Sequence, residues 1–99
     1  MTREEFVTTA IREYRRQAPV PLNFPDPERF AEAVAGLPLQ GLGLNPGRPG
    51  EAGLVFSVAL TVQDVCRIVN LLHPVQVAPL PTAEAGVPVF GLWMTWQLG

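Results

Sequence analysis

The sequence predicts an α+β fold in which about three helices pack on a small, mostly antiparallel sheet, in the order α-α-β-β-α-β-β. Three amphipathic segments that begin with capping residues predict the helices. Alternating apolar residues between glycine- and proline-containing segments predict the strands. Because the chain has 99 residues, we expect residues 1–99 to form a single domain around one core.

Capping residues set the predicted ends of the helices. The first helix spans 2–17, and Thr2 with Glu5 three residues later has the spacing of a capping box. The second begins after Asp26, and Gly36 follows as its expected C-cap. The third begins after Thr61 and ends at His73, which precedes a proline.

Each predicted helix carries an apolar face with helical spacing, which we expect to lie in the core. These faces comprise Phe6, Val7, Ala10, Ile11 and Tyr14 in the first helix, Phe30, Ala33, Val34 and Leu37 in the second, and Val62, Val65, Cys66, Ile68, Val69 and Leu72 in the third.

Four strands are predicted from the alternation of apolar side chains. They span 39–44, 54–60, 75–78 and 87–98, and the second has the clearest pattern. The segment 45–53, which is rich in glycine and proline, is predicted to be the most mobile internal loop.

The predicted C-terminal strand is apolar on both faces and carries no charge. Phe90, Leu92, Met94, Trp96 and Leu98 alternate on the face that we expect to line the core. The opposite face carries the candidate interface residues Val89, Trp93, Thr95 and Gln97. A strand that is apolar on both faces needs cover on both faces, which either a partner or a second layer of helices would supply.

Composition narrows the classes of function. Charged residues make up 16% of the chain, below the usual ~25%, which favours an assembly over an isolated monomer. The net charge of −2 gives no basic footprint for nucleic acid. The chain has no lysine, which excludes Schiff-base and P-loop lysine chemistry.

The residues that usually carry catalysis are few. Cys66 is the only cysteine and His73 the only histidine, and on one helix they would lie roughly 10 Å apart along its axis. That separation excludes a directly bonded nucleophile pair, and the two residues alone cannot build a zinc site. We therefore expect no enzyme activity, no cofactor and no metal, and we expect Cys66 to be buried and inert.

Arg12, Arg15 and Arg16 form the one basic cluster, on one side of the first helix. They are candidate contacts for an anion. The alternative interpretation is that they complement the negative C-terminal end of the helix dipole on a solvated face.

These observations favour a non-catalytic subunit that binds a protein partner or associates with itself. The first alternative is a regulatory domain that binds a small ligand between the sheet and segment 45–53. The second alternative is an accessory factor of nucleic acid or a polymerase that uses the three arginines. The charged N-terminus and short apolar runs predict a cytoplasmic protein without a membrane segment.

Overall fold

A computed structural model describes residues 2–80 and 90–97 of the chain. The described residues form helices α1 (Arg3–Gln17), α2 (Pro27–Val34) and α3 (Val62–Leu72), and strands β1 (Leu39–Gly43), β2 (Glu51–Phe56), β3 (Gln76–Pro79) and β4 (Phe90–Thr95). The strands form one antiparallel sheet in the order β1-β2-β4-β3. The α+β fold and the order of its elements are as predicted.

The predicted N-terminal caps are present on all three helices. The Thr2 hydroxyl accepts a hydrogen bond from the Glu5 amide at 3.1 Å, and the Asp26 carboxylate accepts one from the Arg29 amide at 2.8 Å. Thr61 caps α3 in a full capping box. Each cap satisfies a backbone donor that has no partner within its helix.

Left-handed residues end α2 and α3. Gly36, with φ of 77°, follows the Ala35 C-cap of α2. His73 caps α3 with φ of 49° and ψ of 52°, a conformation that is uncommon for residues other than glycine. Helix α3 therefore ends at His73 as predicted, whereas the C-cap of α2 is Ala35, one residue before the predicted Gly36.

The core lies between the helices and one face of the sheet. The buried helix residues form a single cluster with alternate residues of the strands, so the helices form one layer on that face. The residues buried completely include Val7, Ile11, Phe30, Ala33, Ala52, Leu54, Phe56, Ile68 and Met94.

The apolar faces of α1 and α3 are narrower than the sequence predicts. Phe6 is 47% exposed and Val62 is 80% exposed, and Cys66 is exposed as well. A helix that packs on one layer buries one stripe, which in α3 contains Ile68 and Leu72. The prediction that Cys66 is buried is therefore wrong.

Strand β2 begins three residues earlier than predicted and ends four residues earlier. Its pairing with β4 starts at Glu51 opposite Thr95, and Ala52 is completely buried. Val58, which falls within the predicted strand 54–60, is 56% exposed. Because long-range pairing fixes the start of β2, residues 51–53 lie in the sheet and the preceding loop covers only 44–50.

The outer strands differ slightly from their predicted bounds. Strand β1 contains an irregularity between Leu39 and Gly41. Strand β3 lies at the edge of the sheet and includes Pro79, which is tolerated there because one side of an edge strand needs no donor. The predicted start of the last strand, 87–89, and Leu98 lie outside the described residues.

Candidate functional site

The face of the sheet that points away from the helices is the candidate site, and we call it the open face. Strand register places on it residues opposite to the core positions: Gly41, Gly43, Glu51, Gly53, Val55, Gln76, Ala78, Gly91, Trp93 and Thr95. All buried side chains of the described helices belong to the core cluster on the other face. Four glycines make much of the open face flat, since they carry no side chain.

Trp93 lies near the centre of the open face and is half-buried. Its cross-strand partner is Gly53. A Cβ atom at Gly53 would lie 3.2 Å from Cε3 of Trp93 and 3.4 Å from its Cζ3. The indole ring therefore covers the glycine of the neighbouring strand, a contact that stabilises glycine in sheets.

Leu80 also reaches this surface. Its amide donates to the Gly91 carbonyl at 3.1 Å, which extends the pairing of β3 with β4. Its Cδ2 atom would lie 3.2 Å from a Cβ at Gly53, so the side chain crosses β4 towards β2. Leu80, Trp93, Val55 and Ala78 thus place apolar side chains on the open face, all of them half-buried.

One end of the open face is polar. Glu51, Thr95 and Gln76 are cross-strand neighbours in β2, β4 and β3. Glu51 and Thr95 also line a shallow depression, together with Arg48, Pro49, Gly50 and Trp96. The Oε2 atom of Glu51 is buried and accepts no hydrogen bond from the described residues.

The loop beside this depression is held by the core. The Tyr14 hydroxyl donates to the Arg48 carbonyl at 2.9 Å, and the Trp96 amide donates to the Gly50 carbonyl at 2.7 Å. Burial raises the pKa of Tyr14 and the nearby Glu51 carboxylate raises it further, whereas hydrogen bonding to the backbone of Glu51 and Gly50 opposes the shift.

Two of the four candidate interface residues lie on the open face. Trp93 and Thr95 are half-buried on the open face, and Gln97 is exposed just beyond the end of β4. Val89 lies outside the described residues. Trp96, Leu92 and Met94 are buried in the core, and Phe90 is half-buried against it.

The three arginines of the basic cluster each contact a group of their own chain. Arg12 lies 3.7 Å from Glu28 and Arg16 lies 3.1 Å from Glu13, both as exposed ion pairs. Arg15 donates to the carbonyls of Phe24 at 2.9 Å and Pro25 at 3.1 Å. An anion would have to compete with these contacts, and the anion site stays a prediction.

The single cysteine and histidine lie apart from the open face. Cys66 lines a shallow groove of α2 and α3 with Glu32, Val62 and Arg67, whose guanidinium donates to the Ala35 carbonyl at 2.8 Å. His73 is exposed at the C-terminus of α3. The residues that the structure describes contain no cluster of three or more His, Cys, Asp or Glu placed to hold a metal ion.

Sequence reasoning missed three residues of the open face. Glu51 and Gly53 fall in the predicted loop 45–53, and Leu80 follows the predicted third strand. A signal was present, because Ala52 alternates in phase with Leu54 and Phe56. The glycines on both sides of the segment obscured that alternation.

Comparison with known proteins yields no relative from which function could be transferred: no family model, curated protein or solved structure matches the chain. Within residues 2–80 and 90–97, none of the helices has the length and apolar character needed to cross a bilayer.

Proposed function

We propose that this protein is a non-catalytic interaction subunit whose docking surface is the open face. The observation that carries the proposal is the group of apolar side chains, Trp93, Val55, Leu80 and Ala78, on the face opposite the helices. Tryptophan is enriched among the residues that dominate binding energy, because its large ring buries much area at little entropic cost.

The flatness of the open face supports the same proposal. Gly41 and Gly43 of β1 carry no side chain on this face, and a Cβ atom at either position would come no closer than 3.9 Å to another side chain. A partner backbone or sheet can therefore approach this half of the face closely, with the Trp93 ring standing beside the flat area.

The test compares two substitutions that make the same chemical change on different surfaces. Val55→Asp places a carboxylate on the open face, whereas Val62→Asp places one on the exposed side of α3. We expect Val55→Asp to abolish self-association or partner binding in sedimentation velocity, and Val62→Asp to leave it unchanged. Circular dichroism verifies that both variants fold.

A monomeric wild-type protein that also retains no partner during purification from its native source would contradict the proposal. So would equal association of the two variants. Either result would move the ligand-binding alternative ahead.

The depression lined by Arg48, Glu51 and Thr95 favours that second candidate function. It lies between the sheet and the loop, as the ligand-binding alternative requires, and has a volume of about 350 Å³. This is near the lower end of ligand-site volumes, roughly 300–1,000 Å³, and the depression is open to solvent. A small ligand would bind the monomer, and its binding would survive Val55→Asp.

A further inference from the structure

Strand β1 forms one edge of the sheet, and its outer backbone groups have no strand to pair with. Among the described strands, only β2 pairs with it. An edge strand presents a row of N–H and C=O groups that can pair with another chain. Proteins usually protect such edges with charged side chains or with proline, and β1 contains neither.

The other edge of the sheet has such a protection. The Leu80 amide donates to the Gly91 carbonyl of β4. Backbone groups alternate in direction along an antiparallel strand, so those of the preceding residue, Pro79, point away from β4. Because proline has no N–H, Pro79 removes a donor from the outer side of β3. The two edges therefore differ, and β1 is the unprotected one.

The same alternation identifies the free backbone groups of β1. The Trp96 amide donates to the Gly50 carbonyl, so the even-numbered residues of β2 turn their backbone groups towards β4 and the odd-numbered ones towards β1. Those odd-numbered residues pair with Gly41 and Gly43 of β1. Leu42, which lies between the two glycines, therefore turns its N–H and C=O groups towards the outer edge.

This edge is complementary to a second copy of itself. A twofold axis through Leu42 brings two β1 strands together antiparallel, so that each Leu42 N–H donates to the Leu42 carbonyl of the other copy. In that register Gly41 lies opposite Gly43 of the other copy, on the side of the open face. The two Leu42 side chains, each half-buried against its own core, meet on the helix side and cover each other. Apolar groups thus face apolar groups, and no charges of the strands are opposed.

We propose that β1 pairs antiparallel with β1 of a second copy, which joins two four-stranded sheets into one. The helix layers then lie on one side of the joined sheet, and the two open faces lie together on the other. A contact made by one short strand buries little area, so the dimer is weak and depends on protein concentration. The inference goes beyond the proposed function, because it concerns the edge of the sheet and not its open face.

The experiment removes one outward N–H group from each edge. Leu42→Pro removes it from β1, and Val77→Pro removes it from β3, where Val77 turns the same side outwards as Pro79. Sedimentation equilibrium of the full chain at about 0.01–1 mM measures dimerisation, and circular dichroism verifies folding. We expect Leu42→Pro to weaken the dimer about tenfold or more, because its central hydrogen bonds are lost, and Val77→Pro to match the wild type. A wild type that stays monomeric, or equal dimerisation of the two variants, would overturn the inference.

Two double variants test the register and keep the inference testable if a proline unfolds the chain. Gly41 and Gly43 both accept a side chain, since a Cβ atom at either comes no closer than 3.8 Å to the neighbouring strand. Gly41→Lys with Gly43→Lys places like charges opposite each other in the dimer, whereas Gly41→Glu with Gly43→Lys places opposite charges there. We expect the second double variant to dimerise about three- to thirtyfold more tightly than the first. Equal affinities would overturn the pairing of β1 with β1.

The outcomes separate this inference from the proposed function. If Leu42→Pro loses the dimer but still binds a partner that Val55→Asp does not bind, both proposals stand. If Leu42→Pro alone abolishes association and Val55→Asp changes nothing, the edge pairing stands and the open face has no docking role. If Val55→Asp abolishes association and both proline variants behave like the wild type, the open face stands and the edge pairing fails.

Discussion

At the scale of single residues, the exposure of Cys66 tests the orientation of α3. The thiol lies in the open groove beside Val62 and Arg67 and is not covered by another described element. We predict that a thiol reagent labels Cys66 under native conditions as fast as it labels a short peptide. Cys66→Ser should change the free energy of unfolding by less than about 0.5 kcal/mol, as is usual at surface sites. Labelling that requires denaturant would mean that the sequence-based expectation of burial is right.

Tyr14 makes the free energy of unfolding depend on pH in the alkaline range. It is the only tyrosine, and burial raises its pKa in the folded state above the unfolded value of about 10. A raised pKa means that the folded state keeps its proton after the unfolded state loses it. The associated stability is therefore complete below pH ~10 and declines as the pH rises through the folded-state pKa.

The phenolate absorbance measures this shift directly. We predict that the native protein titrates at a higher pH than the protein in denaturant. Thermal melts of the wild type should fall as the pH rises above ~10, and Tyr14→Phe should fall less steeply. Because the chain has no lysine, the other side chain that commonly titrates in this range is absent, and the difference between wild type and Tyr14→Phe reports on the phenol. Identical titrations of folded and unfolded protein would contradict the buried position of the phenol.

At the scale of elements, Gly50 joins the loop to the start of β2. It has φ of 81°, and a Cβ there would lie 2.7 Å from the Trp96 carbonyl oxygen, which cannot yield because it is backbone. Gly36 has a similar φ of 77° but has nothing within 4 Å of a Cβ. The two glycines therefore share backbone strain and differ in steric contact.

We predict that Gly36→Ala costs about 1–2 kcal/mol, the price of a left-handed conformation for a residue with a Cβ. Gly50→Ala should cost about 1–3 kcal/mol more, because the added methyl group overpacks a tight contact. Urea denaturation of the two variants measures the difference. Equal destabilisation would mean that the loop can move away from Trp96, and that the depression beside Glu51 is not rigid.

At the scale of the whole molecule, Trp96 connects the sheet to the helices. Its ring centroid lies 4.9 Å from that of Phe24 and 5.7 Å from that of Phe30, both in edge-to-face geometry. Its Nε1 donates to the Leu72 carbonyl at 2.8 Å, which satisfies a backbone acceptor at the end of α3. One side chain therefore packs against α2, the segment before it and the C-terminus of α3.

We predict that Trp96→Ala unfolds the domain or nearly so. Truncation of a buried tryptophan costs about 3–5 kcal/mol, against a total stability of about 5–15 kcal/mol. Trp93→Ala should leave a folded protein, because Trp93 is half-buried over Gly53 and outside the core cluster. Thermal melts and sedimentation compare the two variants. Equal loss of structure, with a monomeric wild type, would assign both tryptophans to structural roles.

The sequence determined the features that depend on neighbouring residues. Thr2, Asp26 and Thr61 cap helices because a side-chain oxygen reaches an amide three residues away, a contact that needs no tertiary structure. The two-residue period of β4 likewise placed Trp96 and Trp93 on opposite faces. The α+β class and the order of elements follow from the same local patterns.

Only the tertiary structure decided the features that depend on distant partners. Pairing with β4 and β1 drew residues 51–53 into the sheet, although their composition is that of a loop. The placement of all three helices on one face left Cys66 exposed and left Trp93 on a face that no helix of the described chain covers. Hydrogen bonds from Tyr14 and Trp96, which are distant in sequence, hold the loop before β2 at the end of the sheet. Helical periodicity identifies the apolar face of each helix, whereas the number of elements that pack against the helix decides how much of that face is buried.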